Sequence, residues 1–289
     1  MHEEPGITAE TIRFAARDGR LLAGTLYTPR ASNGRSVLIS SATGVPRGYY
    51  DRYARFLAGD GFTALTYDYR GIGESRSGPL RADRARLREW GEADLAAAID
   101  HLAARAPAHR LVAVGHSIGG QVFGLADNNR QVAALMTICC ASGYWRLWPW
   151  YRQLVLGTQW CCLMPAVSRA LSYYPARRLG LGGEDLPGGV AHDWARWCRH
   201  PDYVIDETGQ PLRAHFHGYR GRILSYAVSD DWMAPPAAVR AMHDCYAGAE
   251  IEFREIAPHP GQRPIGHSGY FRDDNRALWP SGAAWLRAQ

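Results

Sequence analysis

The stretch Leu111-Val112-Ala113-Val114-Gly115-His116-Ser117-Ile118-Gly119-Gly120 constrains the fold of this chain more than any other. Leu111 to Val114 is an apolar run of the kind that a parallel sheet buries on both faces. Gly-x-Ser-x-Gly follows at Gly115, Ser117 and Gly119, and a second apolar run, Gln121 to Ala126, predicts a helix under the sheet. A strand, a sharp turn with a serine at its tip and a helix are the setting of a nucleophile elbow. Such a turn forces Ser117 to positive φ, at a cost of about 1–3 kcal/mol. Gly115 and Gly119 are required because a Cβ two residues to either side of the serine would clash in so tight a turn. The hydroxyl is thereby pushed above the carboxyl edge of the sheet. The Ile118 N–H, at the helix start, is aimed where an oxyanion would form. The simpler alternative is a glycine-rich turn with a surface serine, and the flanking strand and helix argue against it.

Charge narrows the chemistry. The formal charge is +5, and every basic residue is arginine, because the sequence contains no lysine. Schiff-base catalysis, anchoring of pyridoxal phosphate and the Gly-Lys-Ser/Thr phosphate loop are therefore excluded. The arginines are dispersed rather than striped, so no nucleic-acid partner is expected. Cys139, Cys140, Cys161, Cys162, Cys198 and Cys245 make no Cys-x-x-Cys pair, and the two adjacent pairs lie in apolar surroundings. No metal site is expected from them, and no cofactor. The start, Met1-His2-Glu3-Glu4-Pro5, lacks the apolar core of a secretory signal, and no run of 18 apolar residues suggests a membrane span. The expectation is a cytoplasmic protein with reduced thiols. At 289 residues the chain can bury a large core as one α/β domain, or one domain with an insertion.

In chain order, Thr11–Ala16 and Leu21–Tyr27 alternate about Asp18-Gly19 and predict an antiparallel hairpin. Ser36–Ser41 reads as a buried strand running into Ala42-Thr43-Gly44-Val45-Pro46, with a helix near Tyr49 to Asp60. Phe62–Tyr69 is a further strand. It ends in Asp68-Tyr69-Arg70-Gly71-Ile72-Gly73, where Asp68 and Arg70 are expected to pair. Arg81 to Arg105 reads as a helix and Val132–Cys140 as the strand beyond the elbow helix. Residues 143–200 then lose strand signals and hold Trp145, Trp148, Trp150, Trp160, Trp194 and Trp197 among helix-breaking prolines. Most of these rings are expected in a local core and a few on a substrate. The stretch Trp145 to Leu163 is amphipathic enough to touch a membrane surface. Gly221–Val228 returns to strand and ends in Ser229-Asp230-Asp231. A helix follows from Pro235, then a last strand, Glu250–Ile256. A loop with His259 and His267 and a terminal helix close the chain.

The runs Asp68-x-Arg70-Gly71-x-Gly73-x-Ser75, Gly115-His116-Ser117-x-Gly119-Gly120, Asp231-x-x-x-Pro235 and Gly266-His267-Ser268-Gly269 together resemble the α/β-hydrolases of the lipase, esterase and serine-aminopeptidase-like group. The resemblance covers roughly residues 11–140 and 215–289. The pattern from Arg177 to Pro201 is similar to a little-characterised bacterial group of such hydrolases. The fold this implies is a mostly parallel eight-stranded sheet with helices on both faces and a helical cap inserted after strand 6. Residues 1–140 and 215–289 would form the core, and 141–214 an aromatic-rich cap.

A serine hydroxyl needs a base within hydrogen-bond reach, and the base needs an acid to fix its tautomer. In this fold the order is Ser, then Asp or Glu, then His. The acid is expected to be Asp231, whose turn matches the family's; Asp230 is the rival, with capping of the next helix as the structural alternative. The base is expected to be His267, with His259 as rival. Val45 N–H and Ile118 N–H are the expected oxyanion donors. Gly44, His116, Trp145, Trp148 and Trp232 are the expected substrate-binding residues, although His116 could instead bond beneath the loop. His215-x-His217 could offer two metal ligands from one strand face but lacks a third. The expected activity is cleavage of a carboxylic ester, or a related acyl bond, through an acyl-enzyme. The expected partner is a small apolar acyl substrate, and a homodimer is compatible with the sequence. Acyl transfer by the same residues is the alternative, and a binding protein on a hydrolase fold the third reading.

Overall fold

The computed structural model describes residues 6–181, 183–259, 261 and 263–289. Its strands, numbered in chain order, are β1 (Ile7–Ala15), β2 (Leu21–Pro29), β3 (Arg35–Ser40), β4 (Thr63–Tyr67), β5 (Arg110–His116), β6 (Val132–Ile138), β7 (Tyr173–Tyr174), β8 (Leu186–Pro187), β9 (Arg222–Val228) and β10 (Glu250–Ile256). Eight of them form one sheet in the order β1-β2-β4-β3-β5-β6-β9-β10, while β7 and β8 pair separately. β2 runs antiparallel to both β1 and β4, and the other neighbours are parallel. This is the mostly parallel eight-stranded α/β-hydrolase sheet that the resemblance implies.

The apolar run of β5 reflects its place between β3 and β6. Leu111 and Ala113 join Leu38 and Leu135 on one face; Val112 and Val114 join Val37, Ile39 and Met136 on the other. A strand covered on both sides reads as continuous apolar residues rather than as alternation. The edge strands β1 and β10 expose much of their length to solvent.

Two helices differ from their predicted bounds. The helix expected over 81–105 begins at Leu87, where the Glu89 side chain folds back to accept the Arg86 N–H (2.8 Å) and closes its N-terminus. It widens into a π-helical turn over Trp90–Leu95 before continuing as Ala96–Arg105. After the elbow, only Ile118–Gln121 is α-helical, and Phe123–Leu125 is a 3-10 turn. Gly124 lies there against the Phe216 ring, leaving no room for a side chain.

Asp68 and Arg70 do not pair. The Asp68 carboxylate turns toward Arg47, taking its backbone N–H (2.6 Å) and its guanidinium, and it also accepts the Glu74 N–H (3.1 Å). Arg70 is buried and reaches the other way, to Asp94 (Nε–Oδ1 2.8 Å) and to Asp18 (2.8 and 3.0 Å). The guanidinium fork thus finds carboxylates from two distant segments, a match that proximity in sequence does not provide.

Between β6 and β9 lie the continuous helix Trp150–Leu171, the helix Gly188–Arg199 and the short helix Ala214–Gly218. Trp160, Met164 and Trp197 from this segment join the same buried cluster as Leu135 and Ile223 of the sheet. Residues of this segment thus share a buried cluster with the sheet.

Arg70→Met would leave Asp94 buried without its partner. It is expected to lower the unfolding free energy by about 3–5 kcal/mol, while Arg70→Met/Asp94→Leu recovers part of the loss. Urea unfolding checks this, and a single variant as stable as wild type would contradict it.

Candidate active site

The elbow holds Ser117 at φ 52°, ψ −117°, between the end of β5 and the helix Ile118–Gln121. Its N–H donates to Ile138 O at the end of β6 (2.9 Å). A Cβ on Gly119 would lie 2.3 Å from Ser40 O, and one on Gly115 would lie 2.6 Å from the Gly120 Cα. The two glycines therefore let β3 and the following helix close on the turn from opposite sides. Ile118 is the first helical residue, so its N–H has no acceptor within the helix.

Ser117, His267 and Asp231 converge. Ser117 Oγ lies 2.9 Å from His267 Nε2, and His267 Nδ1 lies 2.7 Å from Asp231 Oδ2. An ionised carboxylate only accepts, so Nδ1 carries the proton and Nε2 is left to accept from the serine hydroxyl. Burial pushes the Asp231 carboxyl up, but the His267 hydrogen bond and charge, the Cys139 thiol and the Met233 N–H outweigh it and hold it below the usual range. The adjacent Asp230 does different work. It accepts the N–H groups of Ile265 (3.0 Å) and Gly266 (2.8 Å), and so fixes the loop that carries His267. His259 is exposed on the preceding loop, and His215 and His217 are exposed on a short helix rather than on a strand.

His116 does not face the cavity; it braces the site from below. A carbonyl can only accept, so His116 Nε2–H donates to His267 O (2.9 Å), and Nδ1 accepts the Tyr50 hydroxyl (2.7 Å). Tyr50 Oη in turn accepts the Ala42 N–H (2.8 Å). One buried chain of hydrogen bonds thus links the loop after β3, the elbow and the His267 loop. Sequence reasoning missed Tyr50, which reads as an ordinary aromatic on a helix.

Val45 is corrected as an oxyanion donor. Its N–H donates to Ala42 O (3.1 Å) and closes a type II turn. Gly44 is the third residue of that turn, at φ +69°, a conformation that glycine tolerates without strain. With Ala42 N–H on Tyr50 and Val45 N–H on Ala42, the turn's remaining backbone donors are Thr43 and Gly44. Gly44 O accepts the Glu184 N–H (2.6 Å), and the Glu184 carboxylate reaches Gly73 N–H and Arg76. The chain beyond β6 is thereby strapped to this loop.

Above Ser117 and His267 lies a cavity of about 250 Å³, walled by Trp148, Trp160, Trp194 and Trp232. Trp148 Nε1–H donates to Trp232 O (2.9 Å), which fixes one side of the wall. Trp145 is not among the lining residues; it lies against Gly157. Cys139, at positive φ (51°) directly after β6, lines the same cavity. Its sulfur, an Asp231 oxygen and a His267 nitrogen lie within 4.8 Å of one another, a trio that could in principle hold a metal ion. Burial and the Asp231 charge push the Cys139 thiol far up, favouring the protonated form that can donate to that carboxylate. The sequence signal for Cys139 was its place directly after the sixth strand.

Burial, with His267 beside it, lowers His116 to about 3. Its unfolded value is near 6.5, so between these limits the unfolded chain binds more protons, and the contribution of His116 to stability falls as pH drops. The stability advantage of wild type over His116→Gln is expected to shrink as pH falls below 6.5, at a rate approaching about 1.4 kcal/mol per pH unit near pH 5. A pH-independent difference in chemical unfolding would contradict this.

Residues 33–175 match the model of the serine aminopeptidase S33 family, a hydrolase family. No curated protein sequence matches the chain. Among solved structures, hypothetical protein PA2218 from Pseudomonas aeruginosa is 16% identical with a TM-score of 0.68, covering 99% of this chain and 94% of its own. A thermostable carboxyl esterase from Bacillus coagulans is 12% identical with a TM-score of 0.66, covering 97% and 98%. An esterase from Exiguobacterium antarcticum is 15% identical with a TM-score of 0.60, covering 96% and 100%. On its sheet order, its elbow and these likenesses, the chain has the α/β-hydrolase fold, and residues 33–175 are similar to a hydrolase family.

Proposed function

We propose that this protein is a serine hydrolase that cleaves a carboxylic ester through an acyl-enzyme. The observation that carries the reading is the unbroken line from Ser117 Oγ through His267 to Asp231, with spacings of 2.9 and 2.7 Å. As Ser117 Oγ attacks the carbonyl carbon, His267 Nε2 takes its proton and Asp231 stabilises the resulting cation. The carbonyl electrons move to an oxyanion held by the Ile118 N–H and by the Thr43–Gly44 backbone. Collapse breaks the ester C–O bond, and His267 returns the proton to the leaving alcohol. Water, activated by the same imidazole, then attacks the acyl-enzyme, releases the acid and restores Ser117.

The segment 141–214 acts in this reading as a cap whose aromatic wall excludes water from the acyl group. At about 250 Å³ the cavity is smaller than the ~300–1,000 Å³ typical of sites for drug-sized ligands, which favours a short acyl chain.

A fluorophosphonate probe is expected to label wild type and not Ser117→Ala, and that variant is expected to lose about 10⁴-fold or more in kcat on a chromogenic ester. Labelling that survives the substitution would refute the nucleophile. In an acyl-chain series, wild type should peak at short chains and Trp194→Leu should move the optimum to longer ones. An optimum at long chains in wild type would contradict the cavity argument.

A further inference from the structure

The outward face of the helix Trp150–Leu171 is apolar where a solvated helix face is charged. Trp150 is 75% exposed, Tyr151 54%, Leu154 68% and Val155 70%. No exposed position from Trp150 through Ala166 carries a charge. By length and composition this 22-residue helix could cross a bilayer. Its inner face is committed to the fold, however: Trp160 and Met164 are buried, and the Trp160 ring lies 5.0 Å from that of Trp194. One face is therefore held by the protein, and among the described residues nothing covers the other.

Charge along this stretch of the sequence is one-sided. From Gly143 to Gly183 the sequence has no Asp or Glu, while Arg146, Arg152, Arg169, Arg177 and Arg178 all fall in that span. Among the described residues none of these five arginines makes an ion pair. Such a surface, apolar along its ridge with the Arg152 guanidinium beside it against Tyr151 and Trp232, complements a layer with anionic phosphates outside and acyl chains within. The face is also continuous with the cavity mouth. Val155, Leu179 and Trp232 are exposed and line the cavity, and the Arg152 guanidinium lies 4.8 Å over the Trp232 ring.

We propose that this face seats the protein on an anionic phospholipid surface. Trp150, Tyr151 and Leu154 enter the boundary between headgroups and acyl chains, the arginines meet phosphates, and the cavity mouth opens at the lipid. Seating stands on the surface alone. That the substrate is drawn from the lipid phase rests in addition on the proposed ester cleavage.

The test sediments the full chain with vesicles of phosphatidylcholine, with or without phosphatidylglycerol. Wild type, Ser117→Ala and Trp150→Glu/Leu154→Glu are compared, with circular dichroism to report folding and a water-soluble short ester to report activity. Wild type and Ser117→Ala are expected to bind the phosphatidylglycerol vesicles at least tenfold more tightly than phosphatidylcholine alone, with the excess lost at high salt. The double variant is expected to keep its dichroism spectrum and its short-ester activity but to lose about tenfold or more in vesicle binding. Absence of binding to either vesicle, or binding that the double variant leaves unchanged, would overturn the proposal. A dimer that the double variant dissociates would assign the face to a second copy of the chain, and also overturn it. Should no ester be cleaved by any form, the vesicle result still stands or falls by itself.

Discussion

A serine held in a left-handed conformation depends on everything built around it. The strain at Ser117 costs about 1–3 kcal/mol, and nothing local repays it. It persists because β5 is buried on both faces, the Ser117 N–H is tied to the end of β6, and Ser40 closes on Gly119. Those contacts leave the hydroxyl one direction, toward His267. The fold thus acts on the chemistry through the geometry of one turn.

The second constraint is a set of hydrogen bonds beneath the reacting groups. The chain Ala42–Tyr50–His116–His267 O joins three loops that are far apart in sequence. Asp230 pins the same His267 loop from the side, and Tyr49 Oη reaches Ser268 O. Held from several directions, the imidazole keeps one orientation, and Asp231 keeps one tautomer. In the proposed mechanism, such support would lower the reorganisation needed at the moment of reaction.

The elbow was legible in a local pattern, a buried strand before Gly-x-Ser-x-Gly; position after a strand narrowed its partners to Asp230 or Asp231 and His259 or His267, and the family resemblance singled out Asp231 and His267. The eight-stranded sheet was legible for the same reason. What escaped were relations between segments. Arg70 and Asp68 are near neighbours, but their partners, Asp94 and Arg47, come from other elements. Val45 N–H is consumed by a turn whose type depends on backbone angles at Gly44. The tryptophans between β6 and β9 share one composition signal yet divide three ways, with Trp197 in the core, Trp148 and Trp160 in the cavity wall, and Trp150 on the surface. Residue type sets how much area a ring can bury, and only the packing decides against what.

The central claim is that Ser117 becomes covalently acylated. Rapid acid quench of the wild-type protein during turnover of an activated ester, followed by digestion and mass spectrometry, reads this directly. The account predicts the acyl mass on the peptide containing Ser117, formed in a burst that matches the enzyme concentration. Steady turnover with no acylated peptide, or an acyl group carried by another residue such as Cys139, would contradict it.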